Sequence, residues 1–327
     1  MDTGTHLVMG IALGGLATLD PVVAQDTVTS QVIYIGTIVG SQAPDLDTIL
    51  KLRNNAKYIR NHRGITHSIP AVLLWPIAIT GAIYTFVPQV NIVHLWIWTF
   101  LAVILHVFVD IFNAYGTQAL RPFSRKWVAL GVINTFDPFI FFAHLVGILL
   151  WSLGADPATT FLSMYVGIAV YYVVRYNMRR SVTNHVKKII PDATEIIVSP
   201  TYRFNSWHIA VKSEDYFYVV RSVRGEIIIH DTFERTPIPN TPIMEAARKD
   251  ENVSAFLSFS PVYRWEIEEY EDHVEVKFID LRYRSKGYYP FVAVVQLDRS
   301  LEIVSSYTGW IFSEEKLRNK LELLPSD

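Results

Sequence analysis

Long apolar stretches fill the first half of the chain, and shorter stretches of mixed polarity fill the second half. A helix needs about 20 mostly apolar residues to cross a bilayer, and six stretches approach that length. They cover residues 5–23, 30–50, 68–87, 93–113, 132–153 and 159–177. The first two are rich in glycine and interrupted by polar residues. The pattern predicts a multi-pass α-helical membrane domain of about six spans over residues 1–180.

From about residue 185 the periodicity changes. Short alternating or β-branched runs such as "SWHIAV", "YFYVVRSV" and "HVEVKFIDLRY" are separated by Gly, Pro and Asp. This alternation is typical of strands with one buried face, and "VRSVRGEIII" predicts a hairpin. We therefore expect a mainly antiparallel β domain over residues 185–327, closed by a short helix near "SEEKLRNKLELL".

Basic residues of the first half predict the orientation in the membrane. Every Lys and Arg up to Arg180 falls in one of three clusters, Lys51–Arg63, Arg121–Lys126 and Arg175–Arg180. All three lie on one side of the six-span arrangement, and basic loops stay cytoplasmic. The sequence thus predicts a plasma-membrane protein whose two termini and β domain are cytoplasmic.

Composition agrees with a membrane protein and excludes some chemistry. The chain has 327 residues, of which 50% are hydrophobic and only 18% are charged. It contains no cysteine, which excludes disulfides and thiolate metal sites. No basic patch interleaved with aromatic residues is present, so nucleic acid is not an expected partner. Any metal must be bound by His, Asp or Glu.

Polar residues of the membrane half converge on one membrane depth. His106 and Asp110 lie four residues apart, on one face of the predicted fourth span. The other members lie near the cytoplasmic ends of their spans: His6, Asp45 and Asp47 in "SQAPDLD", His62 and His67 in "HRGITHS", and Asp137 in "DPF". Ionisable groups at this depth are costly unless they are paired or bind an ion.

This donor set predicts a divalent metal site. Imidazole and carboxylate ligands suit Zn²⁺ or Mn²⁺, and also Fe²⁺. The candidate ligands are His6, Asp45, Asp47, His62, His67, His106 and Asp110. They exceed the four that one tetrahedral zinc ion needs, so either two ions bind or some residues orient the ligands. Asp47, Asp137 and Arg121 are the candidate catalytic residues, because a guanidinium can pair with an anionic substrate.

Most candidates also have a plain structural interpretation, although His67 faces an apolar helix and is harder to explain in this way. His6, Asp45, Asp47 and Asp137 could cap helices, and His62 could belong to the basic cluster. His106 and Asp110 could form a hydrogen-bonded pair. The remaining histidines, among them His94 and His144, are interpreted as structural or interfacial residues.

Taken together, the motifs resemble those of the membrane-bound metal-dependent hydrolase family typified by YdjM and YfhP. The resemblance rests on "THLVMGIALGG", "SQAPDLD", "HRGITHS", "HVFVDIFNAYGTQALRPFS" and "DPF", in this order, over about the first 150 residues. It implies a hydrolase whose metal-site positions match the seven candidate ligands. The β domain lies outside the shared region and is most similar to that of YfhP-like members.

Three classes of function remain open at this point. The preferred hypothesis is an integral membrane hydrolase that acts on an ester or phosphoester at the cytoplasmic face, with membrane lipids as partners and a lipid-linked substrate. A transporter of ions or metals could use the same His and Asp residues. A membrane anchor with a structural metal and a partner-binding β domain is the third class.

Overall fold

The protein, described by a computed structural model over residues 1–52 and 54–322, divides into two compact units. The first unit comprises Met1–Asp47, His62–Ser181 and Ser199–Phe204. The second comprises Thr48–Asn61, Val182–Val198 and the chain from Asn205 onward. The chain therefore leaves the first unit after Asp47 and returns to it at His62.

Helices build the first unit. They are α1 (Thr3–Leu16), α2 (Pro21–Gln25), α3 (Thr27–Gln42), α5 (Ile69–Phe86), α6 (Ile92–Ile111), α7 (Pro138–Ser152) and α8 (Pro157–Ile189), of which α8 passes into the second unit at Val182. Helix α4 (Asn55–Asn61) belongs to the second unit. Short 3₁₀ helices occupy Ala17–Leu19, Ala43–Leu52 and Ile65–His67. Several helices begin at a polar cap: the Asp137 carboxylate accepts hydrogen bonds from the backbone N–H groups of Phe139 and Ile140, which starts α7.

The predicted count of six spans is not supported. Among the described residues three helices, α5, α6 and α8, are long and apolar enough to cross a membrane. Helices α1, α3 and α7 have 14, 16 and 15 residues. At 1.5 Å per residue they extend about 21–24 Å, less than the roughly 30 Å of the hydrocarbon core. The sequence runs predicted as spans are longer because they include the 3₁₀ segments and loops that flank these helices.

Glycines let α3 pack closely against α1 and α6. A Cβ on Gly10 of α1 would lie 2.9 Å from the Cα of Ile38. On the other side of α3, a Cβ on Gly40 would lie 3.0 Å from the backbone oxygen of Thr99 in α6. Small residues are the usual device for such close approach between membrane helices. The close packing brings the end of α3 next to the last turns of α6.

Two four-stranded sheets form the framework of the second unit, as the predicted antiparallel β domain requires. The first has the order β1 (Glu195–Pro200), β2 (Ser206–Lys212), β3 (Tyr216–Val223) and β4 (Glu226–Glu234), and the second β5 (Tyr263–Glu269), β6 (His273–Asp280), β7 (Phe291–Asp298) and β8 (Ile303–Trp310). The predicted hairpin is confirmed as β3–β4, which turns at Arg224 and Gly225.

Helices cover both faces of the second sheet. On β7, Phe291, Ala293 and Val295 face a core that includes Phe256. That core is covered by α9 (Pro242–Lys249) and α10 (Glu251–Phe259). The alternate residues Val292 and Val294 pack with Leu317 of α11 (Glu314–Glu322), since successive side chains of a strand point to opposite faces. Leu323 and Leu324 of the predicted closing helix lie outside the described residues.

Helix α4 belongs to the second unit although it is distant in sequence. Ile59 packs against the core of the second sheet, and Arg60 donates a hydrogen bond to Ser254 of α10 at 2.8 Å. Asn55 donates to the backbone oxygen of Thr308 in β8. The sequence pattern, which begins this domain near residue 185, does not reveal that residues 48–61 complete its core.

We expect Ile59→Ala to destabilise the second unit by about 1–2 kcal/mol, because it removes partly buried apolar surface between α4 and the sheet. The β7 and β8 amides of the full-length protein should then exchange their hydrogens faster, in proportion to the larger unfolded fraction that this loss of free energy produces. Lys57→Ala, at an exposed position of the same helix, is the matched control and should leave exchange unchanged. Equal exchange in both variants would show that α4 does not stabilise the sheet.

Candidate metal centre

Four side chains from three separate segments meet in the first unit. Asp45 lies in the 3₁₀ segment after α3, His67 ends the 3₁₀ helix before α5, and His106 and Asp110 lie in the last two turns of α6. One donor atom from each lies within 4.8 Å of the donor atoms of the others. The side chains of His67, His106 and Asp110 are fully buried, and that of Asp45 is 12% exposed.

The spacing of these donors suits a tetrahedral ion. The Nε2 atoms of His67 and His106 are 3.2 Å apart. Oδ1 of Asp45 lies 3.5 and 3.6 Å from these nitrogens, and Oδ2 of Asp110 lies 3.6 and 3.8 Å from them. Ligands at 2.0–2.2 Å from a tetrahedral zinc ion are separated from one another by about 3.3–3.6 Å. The four atoms therefore need only small adjustments to bind one ion.

The tautomer of His106 is fixed by its backbone partner. Nδ1 of His106 lies 2.6 Å from the carbonyl oxygen of Ser41, at the end of α3. A carbonyl oxygen can only accept, so Nδ1 carries the proton and Nε2 carries a lone pair. This arrangement, in which the second ring nitrogen donates to a carbonyl, is usual for metal-binding histidines.

His67 is held in the same tautomer by a relay of two side chains. The Thr66 hydroxyl donates its only proton to Oδ2 of Asp47 at 2.7 Å. Its oxygen lies 3.1 Å from Nδ1 of His67 and must therefore accept from that nitrogen. Burial raises the pKa of the Asp47 carboxyl, but hydrogen bonds from His62 and Thr66 shift it below its usual value overall, so Asp47 is an acceptor. Nε2 of His67 consequently carries a lone pair.

Two lone pairs thus face each other across 3.2 Å in a buried site. Burial lowers the pKa of His67 to about 3, so a shared proton does not relieve the repulsion at neutral pH. Within the described residues, neither Oδ1 of Asp45 nor Oδ2 of Asp110 accepts a hydrogen bond, although both atoms are buried. Buried acceptors without donors are rare and costly. The donor set fits a divalent cation, which would satisfy all four atoms.

Asp47 and His62 form a second layer beside this group. Oδ1 of Asp47 lies 2.7 Å from Nδ1 of His62, and Oδ2 also accepts from the backbone N–H of Arg63 at 3.1 Å. Asp45, Asp47 and His62 make a second set of donors that could hold an ion. The hydrogen bonds of Asp47 to its loop favour an orienting role for it and a single ion in the first set.

His6 lies at the edge of the centre. Its ring stacks on that of His106 with centroids 3.7 Å apart. Its Nε2 lies 3.0 Å from the α-amino nitrogen of Met1 and 3.4 Å from Oδ1 of Asp110. The same amino group contacts Asp110 directly. His6 therefore approaches the oxygen of Asp110 that faces away from the two converging imidazole nitrogens.

The predicted catalytic residues Asp137 and Arg121 make their hydrogen bonds with residues other than the four candidate ligands. Asp137 caps α7 and accepts a hydrogen bond from the Tyr171 hydroxyl at 2.9 Å, as in its structural interpretation. Arg121 holds the start of α5 through its backbone oxygen, which accepts from the N–H of Ile69. In the part of the chain that the structure describes, neither side chain makes a hydrogen bond or ion pair with the four candidate ligands.

Sequence reasoning missed three groups that matter here. The Ser41 carbonyl orients His106, the Thr66 hydroxyl orients His67, and the buried guanidinium of Arg63 lies with its Nε 3.3 Å from Oδ2 of Asp110. Thr66 stands beside His67 in the sequence and could have been proposed as its partner. A backbone carbonyl leaves no sequence signal, and Arg63 is indistinguishable there from the surface basic cluster.

Comparisons with known proteins agree with this architecture. The family model described as YdjM inner membrane protein matches residues 1–182. The YfhP middle domain matches residues 191–233, and the YfhP C-terminal alpha/beta plait domain matches residues 242–321. The chain is 61% identical over 324 residues to "Uncharacterized protein YfhP" of Bacillus subtilis (strain 168), covering 99% of both chains. No solved structure matches it significantly.

The first family model covers helices α1 to α7 and most of α8, including the four converging donors, and more than half of the chain. The B. subtilis relative extends the similarity through both sheets. Together with the long apolar helices, these matches show that the chain is a membrane protein and belongs to the YdjM inner membrane protein family.

Proposed function

We propose that this protein is an integral membrane, metal-dependent hydrolase that cleaves an ester or phosphoester bond at the cytoplasmic membrane face. The observation that carries the proposal is the pair of buried imidazoles whose lone pairs converge with two carboxylate oxygens that accept no hydrogen bond in the described chain. Two nitrogens and two oxygens at tetrahedral spacing favour zinc over the harder, octahedral ions.

A cation bound by these ligands would supply Lewis acidity and an acidified water molecule. The protein's own residues supply position and proton transfer. A substrate would enter from the side of Asp45 and His62, because their side chains are 12% and 19% exposed. The side chains of His67, His106 and Asp110 are buried. His62, held by Asp47 at 2.7 Å, is the candidate general base, and Asp47 orients it.

The distribution of polar groups supports catalysis over passage through the membrane. His94 begins α6 and His106 lies near its end, about 18 Å away along the helix. His94 pairs with Asp20, whereas the metal-competent donors gather at the other end. A site at one membrane boundary suits an amphipathic substrate such as a phospholipid or a lipid-linked phosphate.

Replacing a ligand should remove the metal. We expect His67→Ala, His106→Ala and Asp110→Asn each to lower bound zinc at least tenfold in the purified protein. In a buried site, replacing a lost ligand with water costs free energy. Zinc per protein is measured by elemental analysis after purification in detergent. His94→Ala, in the same helix as His106, is the control and should retain zinc.

The tautomer relay gives a sharper comparison. Thr66→Val removes the hydroxyl that fixes His67 but leaves every ligand in place, so zinc affinity should fall about 10–100-fold. Thr66→Ser keeps the hydroxyl and should restore most of the affinity. Full zinc occupancy in His67→Ala or His106→Ala would contradict the centre itself, whereas unchanged affinity in Thr66→Val would contradict only the relay.

Hydrolysis should depend on both the metal and His62. A screen of short-chain phospholipids, phosphomonoesters and carboxylic esters against the zinc-loaded protein identifies the substrate. With that substrate, His62→Ala should lower kcat about 10²–10⁴-fold while zinc content is retained, because loss of a general base leaves the ligands intact. Undiminished turnover by chelator-treated, metal-free protein would rule out the proposed mechanism.

Membrane orientation is tested separately with reporter fusions. Because basic loops stay in the cytoplasm, fusions after Arg60 and Lys126, on either side of α5 and α6, should report a cytoplasmic location. A fusion at Gln89, in the connection between these two helices, which has no Lys or Arg, should report an external location. An external signal at Lys126 would refute the proposed orientation.

A further inference from the structure

We propose that a groove between α3 and α5 binds the chain of a polyisoprenoid lipid, whose reactive end lies at the partly exposed side of the candidate metal centre. This inference rests on the proposed function and narrows its substrate to a lipid with one chain longer than a membrane leaflet. The groove is apolar and faces hydrocarbon, its near end contacts the loop of the centre, and its far end lies beyond the middle of the membrane.

The groove is an open cavity of about 390 Å³ on one face of α5. Residues three or four positions apart line it, among them Trp75, Ala78, Ala82 and Phe86, and Val39 of α3 forms the opposite wall. The small side chains of Ala78 and Ala82 leave space between the larger Trp75 and Phe86. Apart from the Trp75 indole N–H, the lining side chains are apolar, so the groove suits a hydrocarbon chain.

This face of α5 points toward lipid and not toward the interior of the helical unit. Helix α5 is long and apolar enough to cross a membrane, and Ala78, Ala82 and Phe86 are exposed on it. Water in a cavity needs polar partners, which an apolar groove does not offer. In a membrane protein such a groove is therefore filled by a lipid chain.

The near end of the groove contacts the loop that carries His67. The indole N–H of Trp75 donates a hydrogen bond to the backbone oxygen of Thr66 at 3.2 Å. The hydroxyl of the same threonine orients His67. A chain that leaves the groove past Trp75 thus arrives beside a candidate ligand.

Exposed apolar side chains flank the partly exposed side of the centre. Leu46 and Ile65 are both exposed, and each is next in sequence to one partner of the 2.7 Å hydrogen bond between Asp47 and Thr66. Leu46 also follows Asp45 directly. Exposed apolar groups beside a polar opening are typical of a site for an amphipathic molecule. The chain of such a molecule would contact these two residues between the centre and the groove.

The length of the groove favours an isoprenoid chain over the acyl chains of a phospholipid. Helix α5 begins at Ile69, directly after the loop of the centre, and the groove extends from Trp75 to Phe86. At 1.5 Å per residue its far end lies about 26 Å from the start of α5. An acyl chain of one leaflet covers only about half of the roughly 30 Å hydrocarbon core. A lipid that is held at the centre and fills this groove needs a single, longer chain, which is the chemistry of polyisoprenoid phosphates.

The test uses the purified full-length protein in vesicles of phosphatidylethanolamine and phosphatidylglycerol, with zinc content measured in parallel. The probe is solanesyl phosphate with a photoreactive diazirine on its terminal isoprene unit, and labelled residues are identified by mass spectrometry. We expect the label to concentrate around Ala82 and Phe86 and to be sparse on the exposed faces of α6 and α8. In Ala78→Phe this label should fall about tenfold, because the added ring occupies the space of the chain.

A matched control and a second variant measure how deep the chain reaches. Ile77→Phe, at an exposed position of α5 outside the groove, should be labelled like the unaltered protein. Ala82→Phe fills the groove about one turn further from the centre than Ala78→Phe. The shorter farnesyl phosphate, with the same photoreactive group, should still label the groove near Trp75 in Ala82→Phe but not in Ala78→Phe. The three altered positions are exposed, so the variants should fold and retain zinc.

The outcomes separate this inference from the proposed function. Even labelling of all lipid-facing helices, or labelling that Ala78→Phe does not lower, overturns the inference although zinc is bound. A labelled groove in protein that binds no zinc refutes the proposed hydrolase but supports the groove as the binding site of the chain.

Two further outcomes assign the groove to another occupant and overturn the inference. In the first, phosphatidic acid with a diazirine at the end of one acyl chain labels Phe86 as strongly as solanesyl phosphate does, which assigns the groove to ordinary phospholipids. In the second, the groove stays unlabelled and Phe86→Cys, whose cysteine is the only one in the chain, forms disulfide-linked dimers. That result assigns the groove to contact between two copies of the protein.

Discussion

Two imidazole nitrogens that face each other 3.2 Å apart, each with its proton on the far side of the ring, are the constraint on which the helical unit depends. The partners of the opposite nitrogens, the Ser41 carbonyl and the Thr66 hydroxyl, prevent either ring from turning its N–H inward. Away from water such a pair is repulsive, and the flanking carboxylates add negative charge. A bound cation would convert this repulsion into four favourable bonds, so that fold and ion would support each other.

The helices are packed to hold this geometry. Close contact at Gly10 and Gly40 fixes α3 between α1 and α6, and the end of α3 then presents both the Ser41 carbonyl and Asp45 to His106. Residues 48–61 interrupt the unit between Asp47 and His62, yet the 2.7 Å bond between these two side chains closes the interruption. Asp47 thereby orders the loop that carries His67, which is a sufficient reason for a carboxylate that need not bind metal.

The same loop connects the metal centre to its proposed chemistry. Within "HRGITHS", His67 is a candidate ligand, Thr66 fixes its tautomer, His62 is the candidate base and Arg63 pairs with Asp110. Four roles in six residues require the chain to reverse direction sharply, which explains the left-handed conformation at Arg63 and the adjacent Gly64. The Asp45 side of the candidate centre is its partly exposed side.

The sequence by itself determined the two-part architecture, because hydropathy and alternation reflect burial in lipid or against a sheet directly. It also indicated the metal-competent residues, since ionisable groups in apolar surroundings stand out and the i, i+4 spacing of His106 and Asp110 places them on one face. Only the tertiary structure decided which donors converge, that α4 completes the second unit, and that Asp137 caps a helix. It also showed that α1, α3 and α7 are too short to count as full spans. These properties depend on distances between segments far apart in the chain and on backbone groups such as the Ser41 carbonyl, which every residue possesses and no sequence pattern distinguishes.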